Sequence, residues 1–437
     1  MVPPPVMVAD NPGEANGERS VAIRHTGPWW RRIFSFIGPG YLVAVGYMDP
    51  GNWATDLAGG AGYGYALLWI VGLSSAMAML LQVLSARLGI VAQADLAQLC
   101  RKYGSRRTVF LQWLLCEVAI CACDLAEVIG TAIALQMLFG MPLTVGVLLT
   151  VLDVLVILWL QKCGFRYLEA FVIALLAIVF VCFGINLVLA HPDWHAVAMG
   201  IVPSSRTVTD PGMLYLAIGI IGATVMPHNL YLHSSTVQTR RFDISDTGKK
   251  GAIVFATADI VVALLLALLV NAAILVTSGA VFHTSGHVEV AELQDAFRLL
   301  SPLTGASVAS VLFAVALLAA GQSSSVTATL AGQIIMEGFL HWRLAPWARR
   351  LVTRSIAIVP AFLVTASYGE SGISKLLLFS QVILSLQLPF AMLPLIRFTS
   401  RKDIMGQFAS SRTTVVLAWL TMAVIVGLNL VLIGKML

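Results

Sequence analysis

The sequence predicts an all-α polytopic membrane protein with 11 transmembrane helices, built as a 5+5 inverted repeat plus one extra helix. Two observations lead to this fold class. Of the 437 residues, 58% are hydrophobic and only 11% are charged, a balance that excludes a soluble globular protein. Two apolar segments, the first and the sixth, are each interrupted by a proline beside polar residues, which is typical of paired broken helices in transporters.

Apolar segments long enough to cross about 30 Å of hydrocarbon recur along the whole chain. We predict eleven spans, at residues 33–62, 65–89, 108–138, 143–161, 166–190, 211–236, 251–280, 303–333, 350–367, 373–396 and 413–434. Residues 1–30 are polar and contain no apolar signal segment, so we expect a disordered cytoplasmic tail. The first five-helix repeat then covers 31–200, the second, inverted repeat 201–397, and a loop with the eleventh helix 398–437.

The positions of lysine and arginine predict the topology. If the N-terminus is cytoplasmic, 23 of the 27 Lys and Arg residues fall in the inside segments. The four that remain outside are Arg206, Arg298, Lys375 and Lys435. An odd number of spans then gives an external C-terminus.

The same distribution excludes a nucleic-acid partner. The net charge is +5, but the basic residues form short clusters between apolar spans instead of one continuous patch. We expect the lipid bilayer as the partner, and no obligate protein partner is evident. The six cysteines lie in or beside predicted helices without a CxxC pair, so we expect free thiols.

The interruption of the first span is the segment Asp49-Pro50-Gly51-Asn52. Proline removes a backbone donor and glycine carries a large entropic cost in a helix, so the helix should unwind here and free backbone carbonyl groups. The sixth span contains a second interruption, Met226-Pro227-His228-Asn229. Non-helical backbone at membrane depth needs protein or a water-filled cavity around it, and an intramembrane Asp indicates a functional site. The two interruptions therefore predict a transporter's substrate site near the middle of the membrane.

These two motifs, together with the segment from Gly321 to Gln333 near the end of the eighth span, resemble the signature motifs of the Nramp family in order and spacing. The resemblance covers residues 30–434 and is greatest to the bacterial manganese transporters of the family. It implies a LeuT-type fold with helices 1 and 6 unwound at mid-membrane. It also implies proton-coupled import of Mn²⁺, with Fe²⁺, Cd²⁺ and Co²⁺ as further substrates, by alternating access in a bacterial inner (plasma) membrane.

The candidate metal ligands combine oxygen and sulfur. Asp49 offers an anionic oxygen, Asn52 an amide oxygen, the backbone near Ala223 a freed carbonyl and Met226 a thioether. Hard ions such as Mg²⁺ and Ca²⁺ gain little from sulfur, so the set favours transition metals. By resemblance, Gln381 in the tenth span is a further metal-facing amide. The alternatives are that Met226 only packs and that Gln381 only forms interhelical hydrogen bonds.

The candidate proton pathway comprises Asp49, His228, Asp124, Glu127, Glu117, Arg354 and His233. Asp124 and Glu127 lie three residues apart on one helix face, with Glu117 two turns earlier, and Arg354 is a candidate ion-pair partner. His228 adjoins Met226 and belongs to the residue type that titrates nearest neutrality, and His233 follows on the same half-helix. The alternative is a structural ion-pair network.

Two function classes fit such a protein. The leading one is a secondary metal importer, since no GxxxxGK[ST] segment is present to bind ATP. The alternative is an organic-solute (amino-acid type) symporter on the same fold, which has no evident need of a thioether beside an Asp. A Mg²⁺ carrier is disfavoured by the same thioether. We expect no enzymatic activity, no catalytic residues and no cofactor, with the metal ion and H⁺ as substrates.

Overall fold

The structure, a computed structural model, describes residues 21–22, 36–152, 159–160, 163–288, 292–341 and 346–436. The helices are, in chain order, α1 Pro39–Ala44, α2 Pro50–Tyr63, α3 Leu68–Ala92, α4 Leu96–Tyr103, α5 Arg106–Phe139, α6 Leu143–Leu149, α7 Phe165–Leu189, α8 Trp194–Met199, α9 Arg206–Thr209, α10 Pro211–Thr224, α11 Pro227–Thr236, α12 Asp246–Ser278, α13 Leu293–Thr304, α14 Ala309–Leu340, α15 Pro346–Ser400, α16 Lys402–Met405 and α17 Arg412–Met436.

Short irregular turns and one strand pair complete the described secondary structure. Turns of 3-10 helix occupy Val45–Met48, Thr150–Leu152, Val237–Thr239 and Gly406–Phe408, and a π-helical turn, Gly279–His283, extends α12. The strands β1 Val21–Ala22 and β2 Arg240–Arg241 pair in parallel, with Val21 opposite Arg240. Apart from β1, the tail predicted over residues 1–30 lies outside the described residues.

The helices agree with the predicted membrane spans. Within the described ranges, eight helices are long and apolar enough to cross a membrane. Two shorter apolar helices, Leu143–Leu152 and Leu351–Val364, and the interrupted pair α1–α2 account for the other three predicted spans. The fourth predicted span, 143–161, is helical as far as Leu152, and residues 153–158 beyond it are not among those described.

One boundary differs from prediction: the ninth and tenth spans belong to a single helical run, α15, of 55 residues. A straight helix would separate Arg349 from Gln387 by about 57 Å. Yet Arg349 donates to Glu117 at 2.8 Å, and Gln387 Nε2 lies 3.6 Å from the sulfur of the adjacent Cys116. The run therefore reverses direction between these residues and contains two separate apolar parts, Leu351–Val364 and Gly372–Ser400.

The interrupted helices lie at the centre of the bundle. α2 packs against α10 and α12, α10 packs against α15, and α5 lies along both α14 and α15. Trp53 on α2 is fully buried, with its ring 4.6 Å from that of Phe183 and 5.4 Å from that of Phe313. These edge-on aromatic contacts fix α2 against α7 and α14.

A buried ionic group holds the start of α1. Arg240 pairs with Glu169 at 2.6 Å, and Asp259 accepts hydrogen bonds from the backbone of Gly38 at 3.4 Å and Gly40 at 2.7 Å. Gly38 has φ of 144°, and a Cβ there would collide with the Glu169 carboxylate. Only glycine suits this position, because the conformation and the close approach both exclude a side chain.

Candidate metal site

The first interruption separates α1 from α2 at Asp49. This residue has an extended backbone, with φ of −70° and ψ of 166°. Its Oδ1 accepts a hydrogen bond from the backbone amide of Asn52 at 2.8 Å. Asp49 is thus the N-cap of α2, and Pro50 follows at the first helical position, where no backbone donor is needed. The Asn52 side chain donates to the Tyr47 carbonyl at 2.8 Å and so accounts for one acceptor that the broken helix leaves free.

The second interruption separates α10 from α11 at Val225 and Met226. Met226 has an extended backbone, with φ of −71° and ψ of 123°, and Pro227 begins α11. In a continuous helix the Ala223 carbonyl would accept from the amide of residue 227, four positions on. Because that residue is proline, the Ala223 carbonyl has no intrahelical donor.

Three glycines allow these segments to approach one another and α15. A Cβ on Gly51 would collide with the Gln381 side-chain amide, and one on Gly222 would collide with the Gln381 carbonyl. A Cβ on Gly46 would lie 3.4 Å from the Met226 sulfur. Both interruptions and Gln381 are therefore brought together, as the metal-site prediction requires.

The resulting donor set contains three buried oxygen atoms that have no hydrogen-bond partner among the described residues: Asp49 Oδ2, Asn52 Oδ1 and Gln381 Oε1. The fully buried Met226 sulfur accepts from Asn229 Nδ2 at 3.6 Å. Leaving such oxygen atoms unpaired is costly unless a ligand approaches them. One carboxylate, two amide oxygens, a carbonyl and a thioether suit a divalent cation of intermediate softness.

The described ranges contain no group of three or more His, Cys, Asp or Glu residues that could hold a metal ion. Resident structural metals are held by such rich sets of ionic ligands. The donor set described above contains a single carboxylate and so differs from such sites.

Asp124, Glu127 and Arg354 lie together close to this donor set. Arg354 Nη1 is 3.7 Å from Asp124 Oδ1 and 3.5 Å from Glu127 Oε2, and all three side chains are fully buried. Two carboxylates share one guanidinium, so the trio holds one excess negative charge when both acids are ionised. Cys123, next to Asp124 on α5, belongs to the same apolar cluster as Met226.

The other predicted proton-pathway residues are more dispersed. Glu117 pairs with Arg349 instead of Arg354, at 2.8 and 3.1 Å from Nη2. His233 Nδ1 lies 3.0 Å from Gln82 Oε1, away from the acidic trio. Both His228 nitrogens are buried and have no partner in the described part of the chain. The proton-transfer roles of all these residues stay predictions.

Sequence reasoning missed the burial of several charged residues, Arg349 and Asp56 among them. The Arg349 side chain is buried against Glu117, a pairing that its position near the start of the ninth predicted span did not indicate. Asp56 is 1% exposed on α2 and was not considered. Its spacing of seven residues from Asp49 was a usable signal, because it places both carboxylates on one helix face.

The fold defines an inverted-repeat membrane transporter in which two interrupted helices meet at the centre of the bundle. A family model described as natural resistance-associated macrophage protein-like matches residues 40–435. The chain belongs to this family, the Nramp family, and the prediction from the motifs is confirmed.

Relatives and solved structures agree with this assignment. The divalent metal cation transporter MntH of Bradyrhizobium diazoefficiens is 61% identical over 415 residues, 95% of this chain and 92% of that protein. The structure of the Eremococcus coleocola manganese transporter matches with a TM-score of 0.89 at 43% identity, over 96% of this chain and 90% of that one. Mhp1, a nucleobase-cation-symport-1 family transporter, matches with a TM-score of 0.58 at 16% identity, over 96% and 93%, and shows the fold alone. The predicted LeuT-type fold is confirmed.

Proposed function

We propose that the protein is a secondary transporter that imports divalent transition-metal ions, Mn²⁺ foremost, with Fe²⁺, Cd²⁺ and Co²⁺ as further substrates. The observation that carries the proposal is the convergence of unpaired oxygens from Asp49, Asn52 and Gln381 with the Met226 thioether. Relatives named for divalent metal and manganese transport support it. Protons are the co-substrate, and no resident cofactor takes part.

The donor set argues for the class of ion. Asp49 supplies the single negative charge, which a divalent cation needs for entry into a low-dielectric site. The Met226 sulfur contributes most to softer ions and little to Mg²⁺ or Ca²⁺. An amino-acid symporter would instead use the free helix N-termini to bind a carboxylate, and the Asp49 carboxylate at the start of α2 would repel that group.

Proton coupling is assigned to the acidic groups behind the sulfur. The trio Asp124, Glu127 and Arg354 sets two carboxylates against one guanidinium, and a proton can neutralise one of these carboxylates. We place the N-terminus in the cytoplasm and the C-terminus outside, in a bacterial plasma membrane, because 23 of the 27 Lys and Arg residues then lie inside. Uptake then runs from the outside inward.

The test is an uptake panel in proteoliposomes that hold either the wild type or Asp49→Ala. Wild-type protein should take up Mn²⁺ and Cd²⁺, should ignore Mg²⁺ and an amino-acid mixture, and should respond to an imposed proton gradient. Asp49→Ala should insert normally but show neither uptake nor detectable Mn²⁺ binding, because it lacks the only anionic ligand. Near-normal Mn²⁺ uptake by this variant, or amino-acid uptake by the wild type, would overturn the proposal.

A further inference from the structure

A second buried carboxylate lies on the helix that begins at the metal site. Asp56 on α2 is 1% exposed, and its Oδ2 has no hydrogen-bond partner within the described ranges. None of the ion pairs formed by the described residues includes it. A buried carboxylate without compensation is unfavourable, and a cation that approaches it relieves this cost.

Asp56 continues the line of polar residues that starts at the interruption. Asp49, Asn52 and Asp56 are separated by three and four residues, so they share one face of α2. Asn52 and Asn271 of α12 both donate to the Tyr47 carbonyl, at 2.8 and 2.9 Å. This face of α2 therefore lies toward α12 at the level of the metal site.

The same face meets α12 again one turn beyond Asp56. A Cβ on Gly60 would collide with the Leu275 carbonyl, and Ser278 donates to the Leu57 carbonyl at 2.7 Å. Asp56 lies between these two contact levels, along the α2–α12 boundary. Two buried oxygens of α12, Asn271 Oδ1 and Thr277 Oγ1, also have no partner in the described part of the chain.

The spacing separates Asp56 from the site already described. Seven residues of helix place it about 10 Å from Asp49 along the axis. Since metal–oxygen distances are about 2.0–2.6 Å, one ion cannot contact both carboxylates. Any cation held by Asp56 therefore occupies a second position. While one divalent ion is bound at Asp49, charge repulsion disfavours a second divalent ion at Asp56.

We propose that Asp56 forms an outer subsite, which the transported divalent cation occupies before it reaches Asp49. The inference rests on the proposed function. α2 runs from the interruption to Tyr63, whose hydroxyl lies 3.3 Å from Asp210 on the loop side of the bundle. With a cytoplasmic N-terminus this end is external, so Asp56 precedes Asp49 on the inward path.

A subsite on the path of the ion changes the association and dissociation rates of Mn²⁺ more than the Kd. We expect Asp56→Asn to lower the association and dissociation rates of Mn²⁺ together, each about tenfold, because the charge that attracts and guides the ion is lost. The Kd should stay within about threefold, and the KM for uptake should rise. Stopped-flow quenching of tryptophan fluorescence by Mn²⁺ gives both rates, since Trp53 lies on α2 between Asn52 and Asp56. Isothermal titration gives the Kd.

Three controls make the experiment decisive. Asp56→Glu keeps the charge and should retain the wild-type association rate within about threefold. Asp210→Asn removes a carboxylate at the outer end of α2 and should leave both rates unchanged. Thermal unfolding checks that each variant folds.

An unchanged association rate in Asp56→Asn overturns the inference, and so does a raised Kd without a slower association. If Asp56→Asn does not fold, the Asp56→Glu variant decides. An association rate about tenfold below that of the wild type then overturns the inference. Absence of Mn²⁺ binding in the wild type would refute the proposed function and not this subsite specifically.

Discussion

Asn429 and Ser385 hold each other by two hydrogen bonds: the Asn429 amide donates to the Ser385 carbonyl at 2.9 Å, and the Ser385 hydroxyl donates to Asn429 Oδ1 at 2.9 Å. The pair joins α17 to α15 one turn after Gln381. A Cβ on Gly222 would also lie 2.8 Å from the Ser385 Cβ, so α10 is part of the same contact. The eleventh helix thus supports the part of α15 that presents Gln381 to the metal site.

We expect Asn429→Ala to weaken Mn²⁺ binding by about threefold to tenfold, because two buried hydrogen bonds that position α15 are lost. Isothermal titration measures the Kd, and thermal unfolding should also shift to lower temperature. Leu430→Ala is the matched control, since this neighbour on α17 is 63% exposed. Equal Mn²⁺ affinity in wild type and Asn429→Ala would show that α17 does not position Gln381.

Met226→Ala tests the selectivity of the site. Loss of the thioether leaves Asp49, Asn52 and the Ala223 carbonyl in place, so part of the Mn²⁺ uptake should survive. Cd²⁺ should lose its advantage over Ca²⁺ by about tenfold, or ~1.4 kcal/mol, because only the softer ion gains from sulfur. The measurement is competition of each ion against Mn²⁺ uptake. An unchanged ratio of Cd²⁺ to Ca²⁺ would mean that Met226 only packs against Cys123 and its neighbours.

Glu127→Gln tests the proton role of the buried trio. The variant keeps the size of the side chain but removes the carboxylate charge that lies 3.5 Å from Arg354 Nη1. Uptake should therefore lose most of its acceleration at low external pH, while the Kd for Mn²⁺ changes little. Glu337→Gln is the control, since its carboxylate lies near the end of α14 and accepts from Gln333 at 3.1 Å. A wild-type pH profile in Glu127→Gln would remove this residue from the pathway.

We expect Asp95 to make the stability of the protein depend on pH. It caps α4 by accepting from the Gln98 amide at 2.8 Å, and burial raises the pKa of its carboxyl from 3.8 to about 7. Because the folded-state pKa lies above the unfolded one, the folded state binds this proton more tightly. The stabilisation is complete below the unfolded pKa and is lost as the pH rises through about 7.

Asp95→Asn should remove this slope, which for one proton reaches at most ~1.4 kcal/mol per pH unit. Asparagine is a good N-cap, so the helix itself should be preserved. Thermal unfolding in a pH series compares the variant with wild type. Asp403→Asn is the control. The hydrogen bond from Arg401 lowers the pKa of the exposed Asp403 carboxyl, so the contribution of Asp403 to stability rises with pH, whereas that of Asp95 falls. The same slope in Asp95→Asn as in wild type would exclude Asp95 as its source.

The helix breaks and the donor types could be predicted because they depend on local chemistry. Pro50 and Pro227 cannot donate a backbone hydrogen bond wherever they stand, so the unwound segments and the free Ala223 carbonyl follow from sequence. The spacing of Asp124 and Glu127 likewise fixes a shared helix face. These inferences needed no knowledge of what packs around each residue.

Long-range pairing could not be predicted in this way. Positive charge near a span end predicts the side of the membrane for Arg349, but it does not predict the pairing with Glu117, 232 residues earlier. The two apolar parts of α15 were predicted as two spans, whereas their union in one helical run was not. The strand β1 falls in a segment whose composition predicts disorder, and its pairing depends on the backbone of β2.

The Glu117–Arg349 pair has a consequence for the biosynthesis of the protein. At about 5–20 residues per second, Arg349 is made roughly 12 to 46 seconds after Glu117, given the 232 residues between them. Arg354, which Asp124 and Glu127 require, is synthesised later still. When α5 reaches the membrane, its three acidic side chains therefore lack these two arginines, and its insertion depends on its apolar residues, whose mean hydropathy is 2.0 over the most apolar 18 residues. Arg349 and Arg354 then form their ion pairs with a helix that is already inserted.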